Sequence, residues 1–129
     1  MTKKIVIVGA LGYLGTELCK IYSGESWRNK IIALDDRFIS ERVSQLKDWN
    51  IEFFQGHILD NKFLNKHLNN ADVVHHLAGV TDVAYTKTEA NSELDERIRS
   101  IAIDGTNNIL KNIPNNCKII FPSTHVVFE

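Results

Sequence analysis

Ile5-Val6-Ile7-Val8-Gly9-Ala10-Leu11-Gly12-Tyr13-Leu14-Gly15 is the stretch that decides the fold of this chain. Its four leading residues are all apolar, and the run stops at a glycine. A strand with one wet face alternates apolar and polar, whereas an unbroken run fits a strand buried on both faces of a parallel sheet. The glycines then spell GxxGxxG, directly after the strand and at the opening of a helix. Gly9 permits the tight turn out of the strand. Gly12 lets backbone approach a pyrophosphate with no Cβ in the way, and Gly15 lets the helix pack close to the sheet. Backbone N–H groups around Tyr13 and Leu14, at the helix N-terminus, then face the anion.

Outward from this turn the pattern alternates strand and helix. Leu14, Leu18 and Ile21 recur at helical spacing and predict the first helix. Ile31 to Leu34 reads as a second strand, and Ile39, Val43 and Leu46 as a short helix with Ser40 as its cap. Ile51 to Phe54 is the third strand. Asp60 can cap a helix carrying Phe63, Leu64 and His67 or Leu68, and Val73 to Ala78 is the fourth strand. A longer helix is predicted from about Ser92 to about Asn112, with Leu94, Ile98, Ile101, Gly105 and Ile109 in one stripe and Pro114 stopping it. Ile119 to Phe121 is the fifth strand, ended by Pro122. This is the βαβ grammar of an α/β, doubly wound parallel sheet of Rossmann type, and right-handed crossovers predict the strand order 3-2-1-4-5. No repeat, low-complexity stretch or linker divides the chain, so 1–129 reads as one nucleotide-binding domain.

Asp35 lies at the end of the second strand, 20 residues beyond Gly15. A carboxylate there is placed to accept hydrogen bonds from the adenosine ribose hydroxyls of a dinucleotide. It also repels a 2′-phosphate, so the sequence predicts NAD over NADP as cofactor. Arg37, two residues on, is a cation able to accommodate that phosphate. Asp36 joins Asp35 as a candidate cofactor contact; the competing reading makes both of them solvated loop acids.

The bulk properties exclude other classes. With 129 residues and a formal net charge of -1, the chain carries no Lys/Arg-rich run, which argues against nucleic acid as a partner. No apolar run reaches the length of a membrane span, so no membrane partner is expected. Cys19 and Cys117 form no CxxC and read as reduced thiols of a cytoplasmic protein. Lys3-Lys4 and the apolar run after them mimic a signal peptide, but Glu17 and Lys20 follow and no A-x-A site appears. His75 and His76 are adjacent on a predicted strand and point to opposite faces, without a Cys or His at ligand spacing, so no metal site is expected. Ser123-Thr124-His125 lacks the third orienting group and the oxyanion hole that a nucleophilic triad needs.

Several landmarks in order resemble the N-terminal part of an extended short-chain dehydrogenase/reductase, in the NAD-dependent epimerase/dehydratase family of nucleotide-sugar enzymes. Gly9, Gly12 and Gly15 match the family's glycine motif, and Asp35 its ribose-binding acid. Gly56-His57-Ile58-Leu59-Asp60 resembles G-D-[IL]-x-D, whose first Asp contacts the adenine, so His57 and Ile58 become candidate cofactor contacts. His76-Leu77-Ala78-Gly79 resembles the H-L-A-A that ends strand four beside the cofactor. Ile103-Asp104-Gly105-Thr106-Asn107-Asn108-Ile109-Leu110 resembles V-x-G-T-x-N-[LV]-L. Pro122-Ser123-Thr124-His125-Val126-Val127-Phe128 resembles S-S-[ST]-x-x-V-Y, which makes Ser123 a cofactor contact and Thr124 the catalytic hydroxyl. His57, Ala102 and Phe128 stand where the family usually has Asp, Asn and Tyr.

The resemblance implies the NAD-binding portion of an oxidoreductase or isomerase whose intact form takes a nucleotide sugar. The alternative is a non-catalytic NAD-binding module that regulates or scaffolds. Tyr13, Tyr22 and Tyr85 are followed four residues on by Glu17, Ser26 and Glu89, so the family's Y-x-x-x-K pair is not among these residues. The chain therefore reads as an N-terminal fragment, incomplete at its C-terminus and inactive alone. Strand five as an edge, and a long helix like the family's subunit-joining helix, predict a homo-oligomer.

Overall fold

The computed structural model describes residues 2–78 and 92–122. Among them the strands β1 (Lys4–Val8), β2 (Lys30–Asp35), β3 (Glu52–Gln55), β4 (Val73–His76) and β5 (Lys118–Ile120) form one parallel sheet in the order β3-β2-β1-β4-β5. The helices are α1 (Tyr13–Tyr22), α2 (Ser40–Asp48), α3 (Asn61–Leu68) and α4 (Ser92–Asn112), with a short 3-10 turn at Ser23–Glu25. No helix among the described residues is long and apolar enough to cross a membrane.

Two cores explain the unbroken apolar run of β1. Ile5 and Ile7 join Leu11, Cys19, Ile31, Leu46 and Ile51 on the face covered by α1 and α2. Val6 and Val8 join Ile32, Leu34, Leu64, Leu68, Val74 and Ile109 on the face covered by α3 and α4. With layers on both sides, alternate residues each find an apolar partner, so no polar residue is admitted. The predicted order of strands is the observed one.

The structure corrects several local readings. On α1 the stripe that announces the helix is only partly the face it buries: Leu18 packs against the core, Leu14 and Ile21 are exposed, and Gly15 and Cys19 are fully buried. Small residues face the sheet because α1 packs close to it. Ser40 is the first residue of α2 rather than its cap; Ile39 precedes the helix and supplies no side-chain bond. Asp60 does cap α3, accepting from the Phe63 N–H at 3.1 Å. β4 ends at His76, before the predicted Ala78, and β5 stops at Ile120, one residue before the predicted Phe121. On α4, Gly105 and Ile109 are buried and Ile101 is half-buried; the side chains of Leu94 and Ile98 lie outside the described set.

The adjacent histidines of β4 do point to opposite faces. His75 Nε2 meets the Tyr22 hydroxyl at 2.7 Å on the α1 side. His76 Nε2 meets Thr106 Oγ1 at 2.9 Å on the α4 side, and its ring lies against Phe121. His67 of α3 sits between Phe54 and Phe63. Burial lowers the pKa of all three below the ordinary 6.5; Lys66 and Lys4 add to the effect at His67. A buried imidazole held neutral takes up its proton later than an unfolded one as pH falls. Below pH 6.5 the unfolded chain therefore binds more protons, and stability drops until the folded-state values are reached. The melting temperature should fall from about pH 7.5 to about pH 5.5, and His75→Gln should reduce the slope. A flat profile measured by circular dichroism would contradict this account.

Candidate functional site

The sheet reverses its winding between β1 and β4, and the crevice outside the carboxyl ends of the strands opens there. A cavity of about 530 Å³ occupies that crevice. It brings together the glycine turn (Gly9, Gly12, Tyr13, Leu14, Gly15), the end of β2 (Asp35, Asp36), the loop after β3 (His57, Ile58) and the end of β4 (Leu77, Ala78). Gly79, Ser123 and Thr124 lie outside the described residues, as do Tyr85 and His125.

The turn is built as its glycines require. Gly9 has φ +89°, a conformation that side-chain-bearing residues rarely adopt, and a Cβ on it would stand 2.6 Å from the Ala78 nitrogen. A Cβ on Gly15 would collide with the Gly9 carbonyl oxygen and stand 2.8 Å from Ala10 Cα. Gly12 is different. Its Cβ would meet only ordinary contacts, 3.5 Å to Gly9 O and 3.6 Å to an Arg37 guanidinium nitrogen, and would project into the cavity. Gly12 caps α1 without a side-chain bond, and no acidic residue occupies the first turn. The N–H groups of Tyr13, Leu14 and Gly15 have no intrahelical acceptor, so this helix end is a suitable seat for an anion.

Asp35 ties the turn to the sheet. Its carboxylate is almost fully buried and accepts from the Leu11 N–H at 2.8 Å. Arg37 supplies three further donors: its backbone N–H and Nε to Oδ1, and a terminal guanidinium nitrogen to Oδ2, each at 3.0 Å. Burial pushes the Asp35 carboxyl up. The side-chain and backbone bonds of Arg37, the Leu11 N–H and the Arg37 charge outweigh it and hold the group below the usual carboxylate range. Arg42 of α2 donates to the Leu11 carbonyl. Sequence reasoning placed Asp35 and noted Arg37 as a cation, but did not foresee that the two pair in this way. The spacing of two residues was the available signal. Among the described residues no cluster of three or more His, Cys, Asp or Glu is arranged to hold a metal ion. Burial pushes the Cys19 thiol up to about 12, so it is no ready nucleophile.

The fold, with its glycine turn at the switch point, defines a Rossmann-type domain. The chain belongs to the 3-beta hydroxysteroid dehydrogenase/isomerase family, whose sequence pattern matches residues 6–129. It is 31% identical over 135 residues to a dTDP-D-glucose 4,6-dehydratase from Dictyostelium discoideum, covering 98% of this chain and 30% of the relative. It is 30% identical over 131 residues to a UDP-N-acetyl-alpha-D-glucosaminuronate decarboxylase from Bacillus cytotoxicus, covering 99% of this chain and 38% of the relative. The chain thus spans about a third of the length of these relatives. Among solved structures, a uronate dehydrogenase from Agrobacterium tumefaciens complexed with NAD superposes with a TM-score of 0.69 at 19% identity, covering 96% of this chain and 42% of the other.

The three glycines differ in what a side chain would meet. Gly9→Ala and Gly15→Ala should each lower stability, by about 1–3 kcal/mol or more, because backbone must move. Gly12→Val should leave the melting temperature nearly unchanged while obstructing the cavity. Thermal denaturation of the three variants checks this, and equal losses in all of them would refute it.

Proposed function

We propose that this cavity binds a nicotinamide dinucleotide, NAD in preference to NADP. We further propose that residues 1–129 are the cofactor-binding part of a longer enzyme acting on a nucleotide sugar. One observation carries the reading: a single cavity joins the free N-terminus of α1 to the Asp35 carboxylate across a turn with no Cβ at Gly12. These residues fit the group. The N–H groups of Tyr13, Leu14 and Gly15 would hold the pyrophosphate, Asp35 and Asp36 the adenosine ribose, and Leu77, Ala78, Gly79 and Ser123 the cofactor's far half. When bound, nicotinamide supplies the acceptance and return of hydride. The chain's own part is to position it and exclude water. Thr124 would orient the reacting oxygen, in a longer protein that contributes the tyrosine and lysine acid/base pair.

Support for the sugar-nucleotide substrate comes from the relatives named above, two of which act on dTDP- or UDP-linked sugars by their names. Arg37 is the element that decides between cofactors. Its guanidinium covers Asp35 and lies beside Gly12, so a ribose hydroxyl must displace it to reach the carboxylate. Calorimetric titration of the purified chain should give tighter binding of NAD than of NADP. Arg37→Ala should weaken NADP by about tenfold, the worth of a charge-assisted bond, and leave NAD equal or tighter. Tighter NADP binding by the unaltered chain would sink the cofactor assignment.

We also propose that the chain self-associates. Support comes from the outward edge of β5, unpaired among the described residues, and from exposed Ile103, Leu110, Ile120 and Phe121. Light scattering at micromolar concentration should return a mass above the 14.7 kDa of one chain. A clean monomer peak would defeat this part of the proposal.

A further inference from the structure

The cavity extends beyond Asp35 to a wall formed by the loop after β3. That wall is built to stay in place. The Gly56 N–H donates to the Asp35 carbonyl at 2.9 Å, Asn108 Nδ2 to the Ile58 carbonyl at 3.1 Å, and the Asp60 N–H to the His57 carbonyl at 2.9 Å. The Ile58 side chain occupies the space that a Cβ on Gly105 would need, so α4 seats it directly. Of this wall, Gly56, His57 and Ile58 line the cavity.

The imidazole of His57 is oriented by its own loop. The Leu59 N–H donates to Nδ1 at 3.0 Å. An acceptor nitrogen carries no proton, so in the neutral ring the proton is on Nε2. Nε2 is 3.8 Å from Asp36 Oδ2, longer than a hydrogen bond, and that donor is open to a ligand. β3 lies on the far side of β2 from the glycine turn. A dinucleotide with its pyrophosphate at α1 and its ribose at Asp35 carries its base one sugar further, over this wall.

Resting on the dinucleotide reading, we propose that His57 makes the base-binding edge an N–H donor, so that the site does not select the 6-amino group of adenine. A 6-amino group brings two donors and no acceptor to this edge. A 6-oxo group brings an acceptor that Nε2–H can serve, and the site takes a 6-oxopurine dinucleotide at least as readily.

Calorimetry with NAD and with nicotinamide hypoxanthine dinucleotide, which differs only in the purine ring, tests this on the unaltered chain. The hypoxanthine compound should bind as tightly as NAD or more so. His57→Asp, which replaces the donor with an acceptor, should shift the ratio towards NAD by about threefold to tenfold. Circular dichroism checks that the variant is folded, and the ratio in the unaltered chain depends on no variant. NAD tighter by more than about threefold in the unaltered chain, or a ratio that His57→Asp leaves unmoved, overturns the proposal. An NAD preference that disappears in Asp36→Asn assigns the base edge to Asp36 and overturns it too. Binding of neither dinucleotide overturns the dinucleotide reading, and this inference with it.

Discussion

The hydrogen bond from the Leu11 N–H to the Asp35 carboxylate joins the turn after β1 to the end of β2. Two backbone bonds run beside it, from the Gly9 and Ala10 N–H groups to the Leu34 carbonyl at 2.8 and 3.1 Å. Together they hold the glycine turn at the carboxyl edge of the sheet, which sets where α1 begins and where its free N–H groups point. Loss of the Asp35 acceptor would leave a buried N–H unpaired, at a cost of about 1–3 kcal/mol. It would also release the turn from the strand that lies beside it. The same carboxylate fixes the loop that carries Arg37, through the Arg37 N–H. The geometry of the cavity therefore depends on a residue that the proposed function also uses.

The parts of this arrangement that were legible from sequence are those set by local sterics and periodicity. An apolar residue at each position from Ile5 to Val8 has one ready explanation, burial on both faces; the strand order came from the alternation of strand and helix with right-handed crossovers. The reading of α1 failed in its details for a related reason. Periodicity registers bulky apolar residues, and where a helix packs close to a sheet the fully buried positions go to small ones, here Gly15 and Cys19, with Leu18 half-buried beside them. Bulky Leu14 and Ile21 are left in solvent. The cap of α2 and the ends of β4 and β5 shifted by a residue or two, since hydrophobic pattern does not resolve where the last ladder bond is made.

What sequence could not supply is which polar groups satisfy one another. Asp35 and Arg37 are two residues apart, and their pairing depends on a backbone turn that also aims the Arg37 N–H at the carboxylate. The tautomer of His57 follows from a contact with Leu59 two residues on, in a loop that is also held by Asn108, 50 residues from Ile58. The His76 bond to Thr106 likewise joins β4 to α4 across 30 residues, and neither partner announces the other. His76 Nδ1 is buried and has no hydrogen-bond partner among the described residues.

These polar bonds give the site an energetic balance that apolar packing does not. Asp35 is buried and charged, and a charge there needs donors. Leu11 and Arg37 supply four bonds to two oxygens, as many as a carboxylate accepts. A ligand hydroxyl gains nothing at Asp35 until one of these donors leaves. The Leu11 N–H cannot leave without opening the turn, and the Arg37 N–H is fixed by the backbone. The guanidinium can leave, because the Arg37 side chain is half exposed and water can take over its hydrogen bonds. The exchange swaps a charged donor for a neutral hydroxyl, so the carboxylate contributes less to affinity than a free acid would. The freed cation stays next to Gly12, where the proposed dinucleotide would bring its phosphates. Part of what is lost at the carboxylate is then regained at the phosphates, and affinity reflects that exchange rather than the strength of either contact alone.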